Sequence, residues 1–203
     1  MAEDRVFVRA ITGEYNLKEE LRQLRARPRV RRGAEIEFSG GPQHWNMDYI
    51  SPGVGLGQTL HIHLQEYAPG GFSNKHGHVN EAVFYILDGE GVEEHDGIHY
   101  EWEAGDIVIV HNNCVHQHSN RSQTKPARTL VMKTKPMYMF LNMLFQKTIE
   151  RTPKDPTPGH ENWQPRNEPF FVDAHEFDHP STSSGQAEHD RAHAQGLAHT
   201  HGD

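Results

Sequence analysis

Between residues 35 and 133 the chain runs as short apolar stretches broken by turn residues, with no amphipathic helix among them. Leu60, Ile62 and Leu64 alternate with His61 and His63, and residues 83–87, Ile107–Val110 and Ala127–Lys133 are further strand-like runs. The breaks are Pro69-Gly70-Gly71, Asp88-Gly89-Glu90-Gly91, Asp96-Gly97 and Ala104-Gly105-Asp106. Strands at this spacing, with turn signals and no intervening helices, predict a small all-β barrel or sandwich.

The flanks read differently. Residues 16–27 predict a short helix: Asn16 can cap it, Glu19 holds the capping-box position, and Leu17, Leu21 and Leu24 form a stripe that Pro28 ends. The apolar run at 137–145 fits either a last strand or a helix covering the barrel, and its surface needs cover from the barrel or from a second subunit. After about residue 150 apolar periodicity fades. Trp163, Phe170, Phe171 and Phe177 could dock part of this stretch, and disorder is expected beyond His179. The expected organisation is an N-terminal arm with a short helix (1–35), a barrel (36–150) and a His-rich acidic tail (151–203).

Composition removes several classes of function. No apolar run reaches the roughly 18–20 residues that span a bilayer, so no membrane partner is expected. The opening Met-Ala-Glu-Asp-Arg has no apolar stretch of secretory type, and a lone Cys114 forms no intramolecular disulfide; a cytoplasmic location is expected. A formal charge of −8 argues against nucleic acid. The arginines at 22, 25, 27, 29, 31 and 32 read better as a solvated or partner-facing arm than as a nucleic-acid patch. The arm and the 137–145 run together suggest a homodimer.

The chain holds 17 histidines among 203 residues, about four times the ordinary frequency. Those of the tail, from His160 to His201, have no ligand spacing. In the strand-rich block, His76 and His78 stand at i and i+2, which on a strand aims both rings at one face. His116 follows a strand and a turn and offers a third nitrogen. His61-Ile62-His63 with Glu66 imitates a second ligand set, but nothing downstream completes it, so a barrel-mouth or interface role is the better reading. His95 and His99 flank the Asp96-Gly97 turn and are expected to be exposed. Cys114 reads as a small buried side chain, and Tyr85 and Tyr100 as strand packing.

Two segments carry a resemblance. Gly70, His76, His78 and Gly89 fit the first motif of the cupin superfamily, and Gly105, His116 and Asn120 fit the second, with His111 where proline is usual. The resemblance covers roughly residues 58–133 and implies a double-stranded β-helix, the conical jelly-roll barrel of that superfamily. By the motif spacing the usual glutamate ligand falls on Ala82, with Glu81 one residue early. A one-residue offset sends a strand side chain to the opposite face unless a bulge turns it. A site of His76, His78 and His116 alone is therefore favoured over one completed by Glu81 as fourth ligand.

This all-histidine variation is similar to gentisate-type ring-cleaving dioxygenases, whose stretch after the third histidine also reads His-x-His-x-Asn, here His116 to Asn120. Acetylacetone dioxygenase, a single-domain enzyme with the same histidine set, is an equally fair relative. The resemblance implies a divalent metal, foremost Fe(II) with Mn, Ni or Zn as alternatives. It also implies a dioxygenase acting with dioxygen on a small hydroxylated aromatic or enolisable, chelating substrate. Three neutral imidazoles leave the ion's charge uncompensated and positions open for an anionic chelate and for oxygen. His118, two residues past His116, is the candidate catalytic acid/base or supporting residue. The alternatives are a non-oxidative metal-dependent isomerase or lyase, in which Glu81 turns inward, and a cupin that only binds a small molecule.

Overall fold

In a computed structural model the described residues are 18–54 and 59–166. The Asn16 cap, Leu17, Phe170, Phe171, Phe177 and the tail histidines from His175 onward lie outside them.

Two antiparallel sheets face each other. One has six strands in the order β1 (Ser39–Gly40), β2 (His44–Ile50), β3 (His61–Tyr67), β10 (Ala127–Lys133), β5 (Ala82–Asp88) and β8 (Ile107–Val110). The other runs β11 (Gln146–Glu150), β4 (Lys75–His78), β9 (Val115–Asn120), β6 (Glu90–His95) and β7 (Ile98–Glu103). This is the jelly-roll barrel expected from the turn spacing. The four runs that read as strands in the sequence are β3, β5, β8 and β10. Strands β2, β4 and β9 carry too many polar residues to read as apolar runs, because their inward faces line a polar cavity; β6 and β7 form the edge hairpin of their sheet, where β7 buries only Trp102.

Two glycines of the Asp88–Gly91 turn are there for space and conformation. Gly89 has φ +87°, and a Cβ there would stand 2.7 Å from Ala127 Cα. At Gly91 a Cβ would meet the Trp102 ring at 2.1 Å. The hairpin β6–β7 turns on Asp96 (φ 49°) and Gly97 (φ 85°), the paired positive values of a type I′ turn.

The apolar core fills one part of the space between the sheets, with Tyr67, Phe84, Ile86, Trp102, Val110 and Val131 buried. A charged cluster lies beside it. Glu66 points into the barrel wall, away from His61 and His63, and is fully buried against Arg128, whose Nε donates to its carboxylate at 2.6 Å. Arg166 reaches the same carboxylate at 2.9 Å and Asp88 at 2.8 Å. Glu66 is thus a buried clamp and no part of a metal set. Removing one partner of such a cluster strands the other charges. Glu66→Gln is expected to cost about 3 kcal/mol of unfolding free energy, read from denaturant midpoints.

The stretch 151–166 wraps the barrel. Trp163 packs on Trp45 at 4.8 Å between ring centroids, Gln43 Nε2 donates to the Asp155 carbonyl at 3.1 Å, and the Thr152 amide donates to Asn74 Oδ1 at 2.7 Å. The docking expected of Trp163 is present.

Helix α1 (Lys18–Ala26) buries no residue, and Leu21 is exposed. The arm is held instead by Arg31, whose guanidinium donates to the carbonyls of Asp48 and Tyr49 at 2.7 and 3.0 Å. The 137–145 run is split between α2 (Lys135–Phe140) and the turn leading to β11. Its Met139, Phe140, Leu141, Met143 and Phe145 are exposed among the described residues. No helix among the described residues is long and apolar enough to cross a membrane.

Candidate metal centre

The inner face of β9 alternates: His116, His118 and Asn120 point inward, while Val115, Gln117 and Ser119 are half-buried. Strand β4 lies beside it with His76 directly opposite His116 and Gly77 opposite Val115. His78, two residues on, shares the face of His76. Ring centroids of His116 lie 4.3 Å from His76 and 4.7 Å from His78, and one nitrogen of each histidine lies within 4.8 Å of the other two. His116 and His78 are buried and His76 half-buried.

Backbone fixes the tautomer of all three. His76 Nδ1 meets the Asn74 carbonyl at 2.9 Å, His78 Nδ1 the Asn80 carbonyl at 2.7 Å, and His116 Nδ1 the Cys114 carbonyl at 2.9 Å. A carbonyl oxygen only accepts, so each Nδ1 carries the hydrogen and donates it. Each Nε2 is left as a lone pair. Burial lowers the three pKa values, to about 4 for His76 and His78 and about 2 for His116. Neighbouring imidazoles reinforce the effect, so at neutral pH all three are uncharged donors. Three buried neutral nitrogens converging on one point fit a divalent metal.

Glu81 is exposed and stands outside the cluster. Ala82, at the first residue of β5, is buried and lines the cavity where the motif spacing puts a carboxylate. Asn120 serves structure: its Nδ2 donates to the carbonyls of Ala68 and Lys125, and its Oδ1 accepts from the Ser122 amide. Burial raises the Cys114 thiol to about 11, which makes it a poor nucleophile.

His118 sits on the same face as His116 with its ring 4.2 Å from that of Phe84. Its Nδ1 is hydrogen-bonded to Glu93, which is fully buried and stands directly opposite on β6. Burial opposes the Glu93 charge, but His118 and His95 outweigh it and hold the carboxyl below its usual range. Nothing in the sequence reading pointed to Glu93. The signal was the alternation of β6, whose inward positions are Gly91 and Glu93. His99 is exposed as expected, whereas His95 is not: it folds back against Glu93 and Tyr100 and is half-buried. Tyr85 and Tyr100 are partly exposed and pack less than expected.

The histidines open on a cavity of about 350 Å³, at the small end of ligand pockets. Its far wall comes from the six-stranded sheet. His61 and His63 are on it, joined by Asp48 from β2, whose Oδ1 is 2.8 Å from His61 Nε2. The partner that the sequence lacked downstream comes from upstream. His44 and Lys133 complete this wall.

The fold and the histidine-lined mouth define a double-stranded β-helix with a metal-type donor set. Residues 63–133, the part of the barrel that carries His76, His78 and His116, match the family model described as Cupin domain. Among solved structures, the chain is similar to salicylate 1,2-dioxygenase from Pseudoaminobacter salicylatoxidans in adduct with gentisate. The two share 18% identity, with 56% of this chain and 31% of that chain covered and a TM-score of 0.50. A glycine-to-alanine mutant of the same enzyme in complex with gentisate gives the same values. At this identity the likeness is one of fold, and the matched part spans under a third of those chains. No curated protein sequence matches this chain.

Proposed function

We propose that the protein is a metal-dependent cupin dioxygenase. In this reading His76, His78 and His116 hold Fe(II), and the substrate is a small hydroxylated aromatic or enolisable compound that chelates through adjacent oxygens. The observation that carries it is the set of three Nδ1–H donations to backbone carbonyls, which leaves three neutral Nε2 lone pairs converging without a carboxylate beside them. The exposure of Glu81 favours this over the non-oxidative alternative, which needs that carboxylate turned inward. Bound iron supplies the redox capacity that oxygen chemistry requires.

The chain's own residues do the rest. Phe84 and Ala82 line the cavity across from the three histidines, on the six-stranded sheet. Glu93 grips Nδ1 of His118, so that Nε2 is the nitrogen left to accept or return a substrate proton. A cytoplasmic homodimer, with a second copy over the exposed apolar face around Phe140 and Leu141, completes the reading.

Metal analysis followed by oxygen consumption of the iron-loaded protein tests it. One metal ion per chain and oxygen uptake with a phenolic acid or a β-dicarbonyl are expected; no uptake with any member of either class would sink the reading. In the same assay His118→Ala is expected to keep its metal and lose about 100-fold or more in rate.

A further inference from the structure

We propose that the cavity wall facing the three histidines is a subsite for a carboxylate, with Lys133 as its cation and His63 as a second donor, so that the substrate is a small carboxylic acid. The choice of substrate class rests on the reading above; the subsite itself does not.

Three neighbouring strands build it. In β3, β10 and β5 the residues His61, Lys133 and Ala82 stand in one cross-strand row, Lys133 directly opposite both others. Directly paired residues in antiparallel strands point to the same face, and all three line the cavity. The next inward row holds His63 and Phe84, paired through Val131. Lys133 thus stands beside Ala82, the position left without its usual carboxylate. A glutamate there would have neutralised the amine within the protein.

No ion pair does so. Among the described residues the Lys133 side chain has no hydrogen-bond or ion-pair partner. Asp48, whose Oδ1 is hydrogen-bonded to His61, acts on the amine only from a distance. Lys135 from α2 adds repulsion, and His61, His63, His76 and His78 face the same space as neutral rings. Burial, with Lys135 and against Asp48, lowers the amine to about 8, so at neutral pH most of the lysine is still charged. His63 is 2% exposed, and its Nδ1 is buried without a partner.

A half-buried ammonium without an ion-pair partner is costly, and in the next row stands an imidazole whose Nδ1 has no partner. Together they suit a carboxylate. A divalent ion on the opposite wall adds attraction of the same sign. A ligand that chelates through adjacent oxygens at one end and carries a carboxylate at the other would bridge the two walls, as 3,4-dihydroxybenzoate can.

Calorimetric titration of the zinc-loaded protein, which binds without turnover, separates the two walls. 3,4-Dihydroxybenzoate is expected to bind at least about tenfold more weakly to Lys133→Met than to wild type, while catechol, which lacks the carboxylate, changes less than about twofold. Lys133→Arg is expected to restore most of the 3,4-dihydroxybenzoate affinity. Melting checks the fold: loss of a buried uncompensated charge leaves Lys133→Met at least as stable as wild type. Benzoate added to the metal-free protein reads the subsite alone, and it too is expected to depend on Lys133. Failure of zinc to bind would defeat the metal reading while leaving this arm to decide the subsite. Equal 3,4-dihydroxybenzoate and benzoate affinities in wild type and Lys133→Met, or no binding of either acid to wild type, would overturn the proposal.

Discussion

His116→Ala is expected to weaken metal binding by more than about 100-fold and to abolish oxygen uptake. Of the three histidines it is the most deeply placed, 1% exposed, and its ring lies between those of His76 and His78. Two imidazoles remain in the variant, and a two-nitrogen site holds first-row divalent ions far less tightly than a three-nitrogen one. The loss comes without unfolding, because β9 keeps its ladder to β4 and β6. Competitive zinc titration against a chromophoric chelator measures the affinity, and far-ultraviolet circular dichroism checks the fold. An unchanged zinc affinity would mean that the ion binds elsewhere. His118→Ala is the control on the same strand: it removes an inward imidazole two residues away and is expected to leave zinc affinity within about tenfold.

The parts of this site that sequence made legible are those set by local alternation. His76 and His78 share a face because they are two apart on one strand, and His116 and His118 do so for the same reason. The offset of Glu81 from the motif position was likewise a local fact, and the structure puts Glu81 outside the cluster and Ala82 in the cavity. Glu93, Asp48 and Lys133 were not legible, because each acquires its partners through register with another strand. Glu93 acquires meaning only opposite His118, and Lys133 only in the row with His61 and Ala82.

Glu66 shows the converse. Its sequence neighbours suggested a ligand, but it is three residues from His63, and odd separations put strand side chains on opposite faces. Its partners, Arg128 and Arg166, lie 62 and 100 residues away. The apolar run at 137–145 stayed ambiguous for a physical reason too: Pro136 seats the first turn of α2, yet the run's surface stays exposed within the chain, so burial periodicity was never imposed on it.

The second large effect is on stability, and it follows from how many imidazoles the cavity keeps neutral. Burial lowers His44, His76 and His78 to about 4 and His116 to about 2, against about 6.5 in an unfolded chain. Between those values the unfolded chain holds more protons than the folded one. The slope of unfolding free energy with pH is therefore positive there, and stability falls as pH drops. These groups add nothing to the slope above about pH 7, where both states are neutral. The loss begins near 6.5, deepens to about 4, and continues toward 2 for His116 alone. Glu93, held below its usual range, adds its own loss in the acid part of the window. At about 1.4 kcal/mol per pKa unit per group, the four histidines together remove roughly 8 kcal/mol between pH 7.5 and pH 5, comparable with the whole margin of many domains. Guanidinium midpoints of the metal-free protein at pH 7.5, 6 and 5 should fall steeply. A metal on the three Nε2 atoms competes with those protons, so zinc should shift the acid transition to lower pH in wild type and by much less in His116→Ala. A flat pH profile would mean that these rings are solvated and titrate normally, which would remove the electrostatic basis for a site of three neutral donors.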